Sequence, residues 1–328
     1  MEKTLKKTEI LCAGEVLFDM ISVDRGQTVG ESDGFKKRIG GSPFNVCCGL
    51  SKLGERCSFF TQLADDSFGK AILAYLNAHA IDTKNTFVKE VAKTSLAFAG
   101  VDESGKADYE FYREYTADVS ITEDKADRVV FDNCSIFHFG SLAIVDEPGA
   151  KTYLKLFEKA VASDVLTAFD PNIREFCIAD KEKHLTLISE IIETDDILKL
   201  SDEDLYYITG ETDPQKALGL LPKTRKRLDF ITLGKIGCII HKNGLIKAVD
   251  GYSVDVADTV GCGDSFMAGI LKVINNNPFN EETEPFFLME EAANFAVACA
   301  AIVASREGAA VAMPTEEEVY QFIAERAD

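Results

Sequence analysis

The sequence predicts an α/β protein. Its core is a mostly parallel sheet with helices on both faces, and a small β-sheet is inserted into that body. Three observations carry this reading. Short apolar runs alternate with longer amphipathic segments, the pattern of βαβ units. Two stretches, Val16–Ile39 and Ala92–Tyr115, break the alternation with strand-like pieces separated by Gly, Asp and Ser. No Pro/Gly/Ser linker, internal repeat or low-complexity tract divides the chain. Its 328 residues leave room for about two domains by length alone, yet they read as one unit, 1–328.

Taken in order, Ile10–Gly14 reads as a strand and Pro43–Leu53 as a helix stopped by Gly54. Ser58–Leu63 is a strand and Phe68–Ala80 a helix. Leu96–Val101 and Tyr109–Arg113 flank Asp102-Glu103-Ser104-Gly105, a hairpin signal. Strands follow at Ser135–Phe139, Leu166–Asp170, Ile197–Leu200 and Phe230–Leu233. Helices lie between them at Pro148–Ala162, Lys183–Glu193 and Pro214–Leu221. Cys238–His241 and Leu245–Val249 form a hairpin about Asn243-Gly244. The chain closes with helices Asp264–Ile274, Pro285–Ser305 and Glu316–Arg326. In the first of these, Phe266, Met267, Ile270, Leu271 and Ile274 share one face at helical spacing and read as core.

Composition removes several function classes. Lys and Arg total 35 against 55 Asp and Glu, a formal charge of −20. Nucleic-acid binding rests on basic residues that displace counterions, and so does binding to anionic membranes; neither partner is expected. The longest uninterrupted apolar stretch, Phe295–Ala304, is too short to span a bilayer. Lys3, Lys6 and Lys7 begin like a signal peptide, but Glu15 and Asp19 interrupt any apolar segment behind them. The nine cysteines form no C-x-x-C and the four histidines are scattered. Reduced buried thiols in a cytoplasmic protein are expected, with no zinc site.

Two motifs carry chemistry. In Asp258-Thr259-Val260-Gly261-Cys262-Gly263-Asp264 a Gly-x-Gly turn runs into a helix. Backbone N–H groups can converge there without Cβ obstruction, and the helix N-terminus adds partial positive charge. This makes an anion hole suited to a phosphoryl group, with Asp264 at its mouth. Asp264 is there either as a general base for a substrate hydroxyl or merely as the helix N-cap. In Gly40-Gly41-Ser42-Pro43-Phe44-Asn45, paired glycines admit a ligand close to the backbone and Asn45 can bond hydroxyls as donor and acceptor. Gly14-Glu15-x-x-x-Asp19 puts a carboxylate at the C-terminal end of the first strand, where parallel sheets bind ligands.

These elements together resemble the ribokinase/PfkB family of sugar kinases, in order and over nearly the whole chain. Gly40-Gly41-x-Pro-x-Asn45 resembles the N-terminal family signature. Asp258-Thr259-x-Gly-x-Gly-Asp264-x-Phe266 resembles the C-terminal one. Leu63-Ala64-x-Asp66-x-x-Gly69 is similar to a third family segment, with Ala64 at its first Gly. The resemblance implies a ribokinase-like three-layer α/β/α core, with the pieces 16–39 and 92–115 forming a lid over the sugar. Such lids often pair between subunits, so a homodimer is expected.

The implied activity is ATP-dependent phosphorylation of a sugar hydroxyl. Asp264 would be the base, the amides of Gly261, Cys262 and Gly263 would stabilise the transferring group, and Arg174 would clamp the γ-phosphate or a substrate anion. Asp19, Gly40, Gly41 and Asn45 match positions that hold the sugar. Ser201 and Asp204 fall where the family organises Mg²⁺ through Asn-x-x-Glu, but Ser201 replaces Asn and Asp204 is one methylene short. A plain helix N-cap is the competing reading. Thr232, Gly234 and Gly237 resemble the nucleotide-phosphate loop, and Asn294 and Gly308 fall near the adenine pocket. Asp258 matches a position that in many relatives helps bind a monovalent cation such as K⁺.

Among sugars, Asp170-Pro171-Asn172-x-Arg174, Phe111-Tyr112-Arg113, Phe137-His138-Phe139-Gly140-Ser141 and Lys199-x-Ser-Asp-Glu are most similar to fructokinases. Tyr112-Arg113 is shared with kinases of 2-keto-3-deoxygluconate, where a carboxylate must be met. That is the alternative substrate class, beside ribokinase-type activity. A catalytically silent sugar- or nucleotide-binding regulator is the alternative of a different kind.

Overall fold

A computed structural model describes residues 9–24, 26–101, 107–224, 227–277 and 285–326. The chain enters on β1 (Glu9–Ala13), buried throughout. β2 (Leu17–Ser22) and β3 (Phe35–Gly40) leave the core as an antiparallel pair. α1 (Ser42–Lys52) follows, with Pro43 in its first turn, where a missing N–H does no harm. β4 (Cys57–Ala64) returns parallel to β1, and α2 (Ser67–Ala78) and β5 (Thr86–Lys89) complete that unit. Asp66 caps α2 by accepting from Gly69 N–H, and also accepts from Thr94 N–H and Oγ1, tying this helix to the root of the inserted sheet.

β6 (Leu96–Val101) and β7 (Ala107–Tyr112) are the expected antiparallel pair. The turn at Asp102-Glu103-Ser104-Gly105 lies outside the described residues, as do Lys3, Lys6 and Lys7. The alternation resumes with α3 (Glu123–Asp127), β8 (Cys134–Gly140), α4 (Gly149–Ala162), β9 (Leu166–Asp170) and α5 (Lys181–Thr194). It continues through β10 (Ile197–Ser201), α6 (Asp202–Thr209), α7 (Pro214–Leu218) and β11 (Leu228–Thr232). β12 (Gly237–Lys242) and β13 (Leu245–Asp250) form a hairpin whose Asn243 and Gly244 have φ of 53° and 83°, as a tight two-residue turn requires. α8 (Cys262–Asn276), α9 (Pro285–Ala304) and α10 (Glu316–Ala324) end the chain.

The large sheet has the order β13-β12-β11-β10-β9-β8-β1-β4-β5 and is parallel except for β12 and β13. Alternate residues of β1 show the three layers. Ile10 and Cys12 join the apolar cluster that contains Phe44, Met267 and Phe295. Leu11 and Ala13 join the opposite one, with Tyr153, Ile188 and Leu205. The second sheet, β3-β2-β6-β7, is built from the two stretches that broke the sequence pattern.

One helix is more buried than its sequence predicts, and another is more apolar. α8 is buried on every side from Asp264 to Ile274, not only on its expected core face. It is sandwiched between α1 and α9: Gly49 of α1 leaves no room for a Cβ against Ala268, and Gly269 none against Ala296. α9 is long and apolar enough, by length and composition, to cross a bilayer, beyond the ten-residue stretch expected to be the longest. Of its most apolar window, 61% is buried inside the protein.

Candidate active site

Parallel strands deliver their C-terminal ends to one edge, and the chain after each end builds the site. A cleft of about 800 Å³ lies there, between that edge and the inner face of the small sheet. Both signature motifs line it, because α1 and α8 pack side by side with their N-termini at the cleft.

Asp264 is the best-defined group in the cleft. It is buried, Ser42 Oγ donates to its Oδ1 at 2.7 Å, and Asn45 Nδ2 donates to its Oδ2 at 2.8 Å. Burial pushes its pKa up, while these two donors and the charges of Lys199 and Arg174 pull it back. The N-cap alternative fails. Gly261 is the N-cap of α8, with φ of 85°, and Asp264 sits in the first turn with both oxygens turned toward α1. A side chain at Gly261 would also run into Ala309. The Gly261–Gly263 turn therefore presents backbone N–H groups and the positive end of a 15-residue helix to the cleft, with Cys262 N–H also reaching the Thr259 carbonyl at 3.4 Å.

The opposite wall is acidic and rich in acceptors. Glu15 is buried; its Oε1 accepts from Ser42 N–H at 3.2 Å and its Oε2 has no partner. Burial raises its pKa to about 7. Burial, then the charge of Asp264, pushes Asp19 up to about 6. Gly40 lies directly against the Asp19 carboxylate, so a Cβ there would displace it. Gly41 has φ of 112°, and its Cα backs onto the Glu15 carbonyl. Asn45 also lines the cleft, and its Oδ1 is buried with no hydrogen-bond partner. Arg174 lines the same cleft from the loop after β9, with its guanidinium on the carbonyls of Asn172 and Ile173.

Other expected positions need correction. Tyr112 and Arg113 do not line the cleft. Tyr112 is exposed and bonds Glu110, on the outer side of β7. Arg113 is buried in ion pairs with Asp118 at 3.0 Å and Asp146 at 2.9 Å. Phe111 and Tyr109, one strand parity away from Tyr112, face the cleft instead and pack on Phe176. Period-two alternation was the signal that could have separated them.

Ser201 and Asp204 form a capping box at α6. Ser201 Oγ accepts from Asp204 N–H, and Asp204 Oδ2 accepts from Ser201 N–H. The other oxygen of Asp204 accepts from Ile173 N–H at 2.9 Å. The short Asp side chain is thus turned onto backbone on both sides. At Asp258, Oδ1 accepts from Val260 N–H, while Oδ2 accepts from Arg38 Nη1 at 3.0 Å and from Gly308 N–H at 3.1 Å. Each oxygen of both carboxylates thus already accepts at least one hydrogen bond from the protein. Among the described residues no group of three His, Cys, Asp or Glu could bind one.

Ser201 and Thr232 are paired neighbours at the same sheet edge as Asp170, and Gly234 follows directly. Gly237 is a close-approach position, backed onto the Val249 carbonyl at the start of β12. Asn294 is an exposed position of α9 bonded to the Glu290 carbonyl. None of Thr232, Gly234, Gly237, Asn294 and Gly308 lines the cleft around Asp264. Ser42, Glu15 and the buried Lys199, whose Nζ reaches Asp170, were not assigned roles from sequence, although all three stand in motifs read there.

The geometry, a carboxylate held beside a helix-borne anion hole and facing a hydroxyl-binding wall, is that of a phosphotransferase acting on an alcohol group. The comparisons with known proteins agree. The model of the pfkB family carbohydrate kinases matches residues 7–316, and the chain belongs to that family. It is an ATP-dependent sugar kinase. It is 32% identical to probable fructokinase-2 of Arabidopsis thaliana over 96% of this chain and 95% of that one. It is 32% identical to fructokinase-1 of Zea mays over 96% and 97%. The fructokinase of Xylella fastidiosa, solved with bound ATP, superposes with a TM-score of 0.86 at 27% identity, covering 99% of this chain and all of that one. A Vibrio cholerae fructokinase solved with fructose, ADP and calcium shares the fold, with a TM-score of 0.85 at 23% identity and coverage of 96% and 99%.

Proposed function

We propose that this kinase phosphorylates fructose, taking the γ-phosphoryl group of ATP. The observation that carries the reading is the sharing of Asp264 by Ser42 and Asn45, which puts the acceptor-binding motif and the phosphoryl-binding motif on one carboxylate. A sugar hydroxyl at Asp264 gives up its proton to the carboxylate as its oxygen bonds the γ-phosphorus. The bond from that phosphorus to the ADP oxygen breaks. The amides of Gly261–Gly263 and the α8 dipole receive the developing charge. The small sheet closes over the sugar and keeps water from competing as acceptor.

The chemistry of the cleft favours a neutral sugar over a sugar acid. Among the described residues its charged lining side chains are Glu15, Asp19, Asp24 and Asp264 against the single cation Arg174. Carboxylates suit hydroxyl donors. Arg113, the residue that would have met a substrate carboxylate, is held by its own ion pairs. Full-length likeness to fructokinases of plants adds to this.

Mg²⁺ belongs to this proposal as a partner of the nucleotide phosphates, with Asp204, whose two oxygens each accept one backbone N–H, near enough in the fold to act on it only through water. K⁺ at Asp258 does not fit, since the Arg38 guanidinium already stands there. Pairing of subunits through the open edges β3 and β7 of the small sheet, and a reducing cytoplasm suited to nine free cysteines, complete the reading.

An ADP-release assay across fructose, ribose, 2-keto-3-deoxygluconate and a nucleoside tests it. Fructose is expected to give the highest kcat/KM. A preference for the sugar acid would overturn the substrate assignment, and no turnover with any of the four would favour the silent-regulator reading.

A further inference from the structure

Lys199 takes no part in the steps above. It is the third of the five residues of β10, two before the strand's C-terminal end, and its side chain is only 5% exposed. Its Nζ donates to Asp170 Oδ2 at 2.9 Å, its one hydrogen-bond partner among the described residues. The same nitrogen stands 3.1 Å from the point where a Cβ on Gly263 would lie. A buried ammonium therefore sits directly behind the second glycine of the anion hole. Asp170 is itself buried, at the end of β9, and leads through Pro171 to the loop that carries Arg174.

Removing an ammonium and a carboxylate from water is costly, and an apolar pair of similar volume often serves stability as well or better. Packing alone does not account for a charge at this place. Its surroundings do. Asp170 is in direct contact with it at 2.9 Å, and the carboxylates of Asp204 and Asp264, from α6 and α8, also favour its charged form.

We propose that Lys199 is a positioning residue for phosphoryl transfer, whose fixed charge backs the Gly261–Gly263 anion hole and ties it, through Asp170, to the Arg174 loop. The proposal rests on the kinase reading above. Its effect reaches the reacting atoms by two routes. The ammonium adds to the field of the α8 N-terminus where the transferring group is held. It also favours the ionised form of Asp264. The other groups facing Asp264 are Asp19 from β2, Arg174 from the loop after β9, Cys48 from α1, Cys262 in its own turn, and Asp170. None of these other groups combines full burial with positive charge.

Lys199→Met tests the proposal, with Lys199→Arg as the charge-keeping control. The first readout is the binding of ADP with fluoroaluminate, which mimics the transferring phosphoryl group, compared with ADP alone. Lys199→Met is expected to lose about tenfold or more in fluoroaluminate-dependent affinity and to keep its affinity for ADP. The second readout is the acid limb of the kcat profile, expected to move to higher pH in Lys199→Met and back toward the wild type in Lys199→Arg. Should the lone Asp170 carboxylate prevent folding, Lys199→Met/Asp170→Asn removes both charges and must also lose fluoroaluminate affinity. A folded variant with wild-type fluoroaluminate affinity and an unmoved acid limb overturns the proposal. Absence of turnover in the wild type is a separate result and bears on the kinase reading alone.

Discussion

Asn45 and Asp264 stand 219 residues apart in the chain and share a 2.8 Å hydrogen bond. Each belongs to a short Gly-rich motif that is also, taken singly, an ordinary helix entry. Joined, they put a hydroxyl-binding amide and a candidate base on the same atom. Side-by-side packing of α1 and α8 makes the junction possible, and Ser42 on the other carboxylate oxygen fixes the rotation of Asp264.

Asp264→Asn keeps the shape of this junction and removes the base. We expect kcat to fall roughly 10²–10⁴-fold, the usual worth of a general base. Nucleotide affinity measured by calorimetry should be unchanged, because the anion hole is backbone. Burial raises the pKa of Asp264, so the carboxylate takes up its proton above the ordinary carboxylate range. Wild-type activity should therefore rise with pH through that pKa and fall on the acid side, and Asp264→Asn should lack this limb. Near-normal phosphorylation by the variant would remove Asp264 from the base role.

Arg113 is a structural residue in this fold. It bonds Asp118, five residues on, and Asp146, 33 residues on, in a buried setting at the base of the small sheet. Removing one partner of a buried pair costs about 3–5 kcal/mol, so Arg113→Met should lower unfolding stability by about that amount in urea titrations. The ratio of kcat/KM for fructose to that for a sugar acid should stay within about twofold of the wild type. A selective loss of sugar-acid turnover would instead mean that Arg113 reaches the substrate.

The same residue marks where sequence reading stops. Alternation of apolar runs sufficed for β1, β4 and β8 to β11, because strands buried on both faces need such runs. The inserted sheet was legible as a break in that pattern. β5 and α3, of four and five residues, were not, since neither has the length to express a period. α6 opens with Asp202-Glu203-Asp204, which reads equally as cap or metal site until Ile173 N–H is found on the second oxygen of Asp204. Within the site, motif residues that contact one another through local turns were identifiable. Arg113 was not placed correctly and Lys199 was given no role, because a long basic side chain takes its role from carboxylates on other elements.

Arg38 makes the last connection, from β3 of the small sheet to Asp258 at the start of the anion-hole turn, at 3.0 Å with both side chains about four-fifths buried. Gly308 N–H bonds the same oxygen, so the small sheet, the turn and the 308 loop meet at one carboxylate. Arg38→Ala should loosen the small sheet from the turn, lowering kcat/KM for the sugar more than affinity for the nucleotide. It also opens Asp258 to a solvent cation. Because the guanidinium already neutralises that carboxylate, wild-type rates in potassium chloride and in choline chloride of equal ionic strength should agree within about twofold, whereas Arg38→Ala should be stimulated by K⁺. Steady-state kinetics in the two salts decide the matter. A wild-type enzyme silent without K⁺ would mean that Asp258 releases Arg38 to bind a metal ion, and that the ion pair belongs only to the resting enzyme.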